Sequence, residues 1–179
     1  MACEHFPALK KLSPAQITAA VNRVSPSFTR VDADQVTYDL HIILRFEIEV
    51  KLVEGTLKTA NVPAYWNEKL EKMFGLHVAN DAEGCLQDTH WAIADIDYFP
   101  TYTLGNLDAA QLMRRAVAEN PSLNDQLAHG DYKPLLAWLR DKIHRHGSRH
   151  APQELIRLAT GETTGIRDHV EYLRAKFAG

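Results

Sequence analysis

The feature that most constrains this chain is its punctuation: prolines and glycines cut it into short segments whose apolar residues recur at helical spacing. Ser13 can N-cap a helix whose first residue is Pro14. Ile17, Ala20, Val21 and Val24 then share one face, and Ser25-Pro26 breaks a helix spanning Phe6 to Val24. After a short β-prone stretch at Ser27 to Val31, Asp34 can cap a long helix that runs to about Glu54 and stops at Gly55. Residues 45–53 read two ways. Phe46, Ile48, Val50 and Leu52 alternate with charged neighbours as in a strand, while Phe46, Val50 and Val53 keep helical spacing. Pro63 opens a helix that Gly75 closes. Further helices are expected from Tyr98 to Glu119, Lys133 to His146, Pro152 to Ala159 and Ile166 to Phe177. Residues 76–97 lack such a period and could hold short strands around Leu86 to Ile93. The expected class is mainly α: a single domain over residues 1–179, with a small antiparallel β element near a substrate pocket.

At 179 residues and 45% hydrophobic content, the chain can bury a sizeable core. Its net charge of −3 offers no basic footprint for nucleic acid. Cys3 and Cys85 lie too far apart for a thiolate metal motif, and two cysteines make no disulfide framework. No apolar run approaches a membrane span, and Met1 to Lys11 do not resemble a signal peptide, so a cytoplasmic protein is expected.

Polar and aromatic groups gather without amphipathic period in Gly84-Cys85-Leu86-Gln87-Asp88-Thr89-His90-Trp91 and Tyr98-Phe99-Pro100-Thr101-Tyr102. An imidazole and two phenols this close can donate hydrogen bonds to an oxyanion, with a neighbouring carboxylate fixing the imidazole tautomer. The same residues can equally form a core Trp-Tyr-Phe cluster whose polar tips are satisfied locally.

The order of these residues resembles the carboxypeptidase Taq family of zinc carboxypeptidases. Gly84, Gln87, Asp88, His90 and Trp91 fill a GxxQDxHW pattern, and Tyr98 to Leu107 continue it. Upstream, Arg30 to Asp34 look like the family's I-R-x-x-A-D motif, followed by its helix at Val36 to Glu49. Downstream, Trp138-Leu139-Arg140, Ile143 to Gly147 and Ala159 to Glu162 match its C-terminal pattern. The resemblance covers Phe6 to Phe177, about the last third of such a protein.

That resemblance implies a zinc held by an H-E-x-x-H helix and a later glutamate, with the helix glutamate as general base. No H-E-x-x-H occurs in the 179 residues, and Glu4-His5 run in the wrong order. No metal ligand is therefore expected in this chain; zinc belongs to the complete family fold. The residues that are present serve the other half of the reaction. By resemblance, Arg30 would bind a peptide's C-terminal carboxylate, for which a guanidinium fork is suited. His90 and Tyr102 would stabilise the oxyanion, and Gln87, Asp88 and Tyr98 would orient them or line the pocket. His41 and Arg45, one turn apart, read as structural contacts of a helix face.

Two departures stand out. Thr29 replaces a branched aliphatic residue, and Ala92 to Asp97 fill a stretch where the family carries glycines. Asp97 adds bulk and charge before Tyr98, at a position where glycine would allow positive φ. Elsewhere, His144, His146 and His150 do not share a helix face around Gly147, and no G-x-S-x-G is present. Three roles remain open. The chain can be the C-terminal part of a metallocarboxypeptidase, inactive alone and completed by an N-terminal fragment. It can be a non-catalytic module binding peptide C-termini or a protein. Or it can be a fragment without independent activity that covers its apolar faces as a homodimer.

Overall fold

The computed structural model describes residues 5–178; Met1, Cys3 and Glu4, on which some expectations rested, lie outside them. The chain forms two compact units, Met1–Pro100 and Thr101–Gly179. Among the described residues there are eight α-helices and no strand.

In the first unit, Pro7–Lys11 form a 3-10 helix and α1 spans Pro14–Val21. The continuous helix expected from Phe6 is interrupted because Leu12 is extended (φ −108°, ψ 141°). Ser13 then starts afresh with a reciprocal capping box: its hydroxyl accepts from the Gln16 amide, and its own amide donates to the Gln16 side chain at 2.8 Å. Helix α2 is Tyr38–Val53 and α3 is Val62–Phe74. The Asp34 carboxylate accepts from the Val36 and Thr37 amides, so it caps the turn that leads into α2.

Residues 45–53 resolve as helix for a packing reason. Leu44 and Ile48, one turn apart and fully buried, join Val62, Trp66, Leu70 and Cys85 in one core. A strand would send successive side chains to opposite faces and could not keep these two together with the neighbouring Arg45 and Glu49 inside. Each fully buried leucine or isoleucine here contributes about 2–3 kcal/mol by removal from water. The expected β element near Leu86 to Ile93 is absent, and the backbone bonds explain why. The amides of Gly84, Leu86 and Gln87 donate to Asn80, Asp81 and Gly84, and Trp91–Ile93 close a 3-10 turn. These amides find partners within a few residues, so none is left for a ladder. Gly84 suits this tight winding: a Cβ there would sit 3.1 Å from the Val78 side chain, which would have to give by a few tenths of an ångström.

The second unit contains α4 (Pro100–Glu119, whose first residue closes the first unit), α5 (Leu123–Ala128), α6 (Lys133–Lys142), α7 (Pro152–Thr160) and α8 (Arg167–Phe177). Helix α5 was not foreseen, and the end of the expected Lys133 to His146 helix is a 3-10 turn at His144–His146. The anchor of this unit is Gln111, 1% exposed. Its amide nitrogen donates to Thr160 Oγ1 and the carbonyls of Glu162 and Thr163, and its oxygen accepts from the Gly165 amide. One side chain thus ties α4 to the α7–α8 connection. No helix among the described residues is long and apolar enough to cross a membrane.

Candidate functional site

Helix α2 positions the site through a polar stripe at four-residue spacing. His41, Arg45 and Glu49 are 0%, 1% and 3% exposed, on a helix otherwise buried through Ile42, Leu44 and Ile48. Three ionisable residues on one buried face need partners, because an unpaired buried charge costs several kcal/mol. The partners come from the turn at residues 84–91.

Asp88 is the hub. Its Oδ2 accepts from Arg45 Nε at 2.7 Å and lies 2.6 Å from Arg45 Nη2, while Oδ1 accepts from Arg30 Nη2 at 2.9 Å. Arg30, on the 3-10 turn Arg30–Asp32, also donates to Tyr38 Oη at 3.1 Å, and Arg45 donates to the His41 carbonyl. Gln87 accepts from Arg45 Nη2 and returns its amide to the carbonyls of Phe28 and Glu83. Burial alone would raise the Asp88 carboxyl; the bonds and charges of Arg30 and Arg45 instead hold it below the usual carboxylate range. Burial also disfavours the Arg45 charge, and Asp88 offsets part of that cost.

Aromatic rings surround the two guanidiniums. Arg45 lies 4.7 Å from the Trp66 ring and 5.3 Å from Phe99, and Arg30 lies 5.7 Å from Phe99. His90 packs on Phe99 with ring centroids 4.6 Å apart and stacks on Tyr98 at 5.7 Å; its Nδ1 is 3.8 Å from Asp88 Oδ1, beyond hydrogen-bond length. Trp91 meets both Trp66 and Phe99 edge to face, and its indole donates to Glu49 Oε1 at 2.8 Å.

The structure therefore brings Arg30, Gln87, Asp88, His90 and Tyr98 together in the first unit. Tyr102 lies in the first turn of α4 and belongs to the second unit. Arg45, which spacing alone marked as a helix-face contact, binds the same carboxylate as Arg30. Glu49 was not singled out at all. The signal for both was present as polar residues recurring every fourth position within an apolar helix.

Two positions after Trp91 carry unusual backbone. Ala94 has φ 60° and Asp97 has φ 74°, and among the described residues no other non-glycine residue has positive φ. Both fall where the resemblance expects glycines, so the glycine conformation persists with larger side chains in place, at about 1–2 kcal/mol each.

No group of three or more His, Cys, Asp or Glu among the described residues could hold a metal. The most buried imidazole, His41, has neither ring nitrogen hydrogen-bonded. It is pushed down to about 4, first by burial and then by the charges of Arg45 and Arg30, which would repel a metal cation equally.

Comparison with known proteins places the chain in a family. The model of the Carboxypeptidase Taq (M32) metallopeptidase family matches residues 2–177. The chain is 43% identical over 175 residues to Thermostable carboxypeptidase 1 of Thermus thermophilus, covering 98% of this chain and 34% of that protein. It is 40% identical over 169 residues to Carboxypeptidase 1 of Bacillus subtilis, covering 94% of this chain and 34% of that one. The crystal structure of an M32 carboxypeptidase from Deinococcus radiodurans superposes with a TM-score of 0.94 at 39% identity, over 98% of this chain and 36% of that one. Trypanosoma cruzi metallocarboxypeptidase 1 gives 0.89 at 39% identity, over 97% and 38%. The chain thus spans about a third of the length of the relatives it matches. It belongs to the carboxypeptidase Taq metallopeptidase family and corresponds to a C-terminal portion of it.

Proposed function

We propose that this chain supplies the substrate-recognising half of a metallocarboxypeptidase site, without the zinc half, and does not hydrolyse peptides alone. The observation that carries this reading is the shared carboxylate at Asp88, which holds two guanidiniums in place within a buried, aromatic-walled cluster. A peptide's C-terminal carboxylate is a fitting counter-charge, and Arg30, on the turn ahead of α2, is the group to receive it. Asp88 and Tyr38 fix the Arg30 fork in advance, which lowers the entropy lost on binding. His90, in ring contact with Tyr98 and Phe99, is the proposed oxyanion donor; Tyr102 is proposed for the same role on the resemblance alone. The H-E-x-x-H portion would come from another polypeptide of this family, a complementing N-terminal fragment; a homodimer is the other assembly the reading allows.

A second reading is a binding module that captures peptide C-termini or a protein partner without chemistry. It is favoured by Ala94 and Asp97 standing at glycine-like φ shortly after His90 and Trp91.

The discriminating assay is release of C-terminal amino acids from short peptides by the purified chain, with zinc or cobalt added and a chelator as control. No release in either condition is expected. Metal-dependent release that His90→Ala abolishes would overturn the proposal.

A further inference from the structure

A second polar feature of the first unit is not used by the carboxylate reading. The α2 face turned away from the core keeps Phe46, Val50 and Val53 partly or largely exposed, at 48%, 36% and 77%. Together with Ile96 they wall a cleft of about 270 Å³ that Glu49, Glu54 and Asp97 also line. Apolar walls with only carboxylates among their polar groups are an uncommon mixture for a surface cleft. It suits a ligand with an aliphatic body and a positive end.

Glu49 supplies an independent sign of a missing partner. It is 3% exposed, its Oε1 accepts from the Trp91 indole, and its Oε2 is covered and has no hydrogen-bond partner. Burial pushes the Glu49 carboxyl up; the bonds from Trp91 and the Asp97 amide act against this, and the nearby Asp97 charge adds to it. A buried carboxylate oxygen left unpaired has lost its hydration without gaining a bond in return. The local cations are engaged elsewhere: Lys69 pairs with Glu47 at 2.6 Å, and Lys51 lies over the Tyr65 ring. Among the described residues, no lysine or arginine pairs with Glu49, Glu54 or Asp97.

We propose that this cleft binds an alkylammonium group of the kind a lysine side chain carries, its stem along Phe46, Val50, Val53 and Ile96 and its charge against the Glu49 and Asp97 carboxylates. The cation relieves the repulsion between the two acids and gives Glu49 the counter-charge it lacks, while the stem covers methyl groups otherwise in water. The site contains neither Arg30 nor His90, so it stands whether or not the carboxylate reading does.

The test is a titration followed by amide NMR shifts at Val50, Val53 and Ile96, with n-pentylammonium, Nα-acetyl-lysine methylamide and the neutral n-pentanol as probes and chelator present. Saturable shifts are expected with the ammonium probes at about 1–10 mM, and at least fivefold weaker binding for the alcohol. Comparable or tighter binding of the lysine derivative identifies a polypeptide side chain as the source. Binding of n-pentylammonium alone identifies a small amine. Asp97→Gly removes one carboxylate while suiting the φ of 74°, so the fold survives, and it should weaken ammonium binding about fivefold. Equal binding of alcohol and ammonium, unchanged affinity in Asp97→Gly, or no saturable shift would overturn the proposal.

Discussion

Two buried polar networks, one in each unit, solve the same problem in opposite ways. The Gln111 network in the second unit is neutral and closed: amide nitrogen and oxygen are both used, and Thr160 Oγ1 also donates to the Ile156 carbonyl. The cluster around Asp88 in the first unit is charged and open. Two guanidiniums share one carboxylate, His41 has no partner at either ring nitrogen, and Glu49 Oε2 has none. A closed neutral network rigidifies a fold and asks nothing of a ligand. An open charged one is costly in isolation, and its unpaired groups mark where binding energy can be recovered.

The largest effect should come from cutting the charged network at its most buried member. Arg45→Met keeps the stem's bulk but leaves Asp88 with one guanidinium and Gln87 without its donor. A loss of about 3–5 kcal/mol in urea unfolding is expected. A loss below 1 kcal/mol would mean that the cluster is held by its aromatic walls instead.

His41 should give the next largest effect, seen as pH dependence. In the unfolded chain the imidazole takes a proton near 6.5, whereas in the fold it does so only at about 4. Between those values the unfolded state binds more protons, so stability falls as pH drops, by up to about 3 kcal/mol. The raised Glu49 carboxyl works the other way, so the informative quantity is the difference between the protein and His41→Leu, which should lack this slope. Identical pH profiles would show that His41 is not held neutral by its surroundings.

Gln111→Ala sharpens the contrast from the other side. It removes the Gln111 partner of the Thr163 carbonyl and the Gly165 amide and should cost about 2 kcal/mol, yet leave peptide binding untouched. Smallest is Ala94→Gly, which relieves the left-handed strain but adds freedom to the unfolded chain. A net gain of about 0.5–1 kcal/mol, read as a raised urea midpoint at unchanged slope, is expected.

Helix limits were legible wherever a local cap carries them. Ser13, Gly55 and Gly75 act where their residue types place them, the two glycines at φ 71° and 69°. Residues 86–93 were misread because their conformation is set at a distance. Gln87 and Asp88 are anchored on Arg45 and Arg30, more than forty residues away in sequence, and no local period records that. Motif order singled out Arg30, Asp88 and His90, which the fold gathers into one cluster. Arg45 and Glu49 showed only as polar residues at four-residue spacing, because a residue's being buried and charged becomes evident only once its helix has been packed. The glycine departures were legible as an expectation about backbone, and the positive φ of Ala94 and Asp97 gives it physical content.

The central claim is that the Arg30–Arg45–Asp88 cluster recognises a peptide carboxylate without metal. It is tested most directly by calorimetric titration of one short peptide, as free acid and as C-terminal amide, into the chain with chelator present. The account predicts that the free acid binds at least tenfold more tightly than the amide and that Arg30→Ala removes the difference. Equal affinity for acid and amide, or a preference that survives Arg30→Ala, would contradict it.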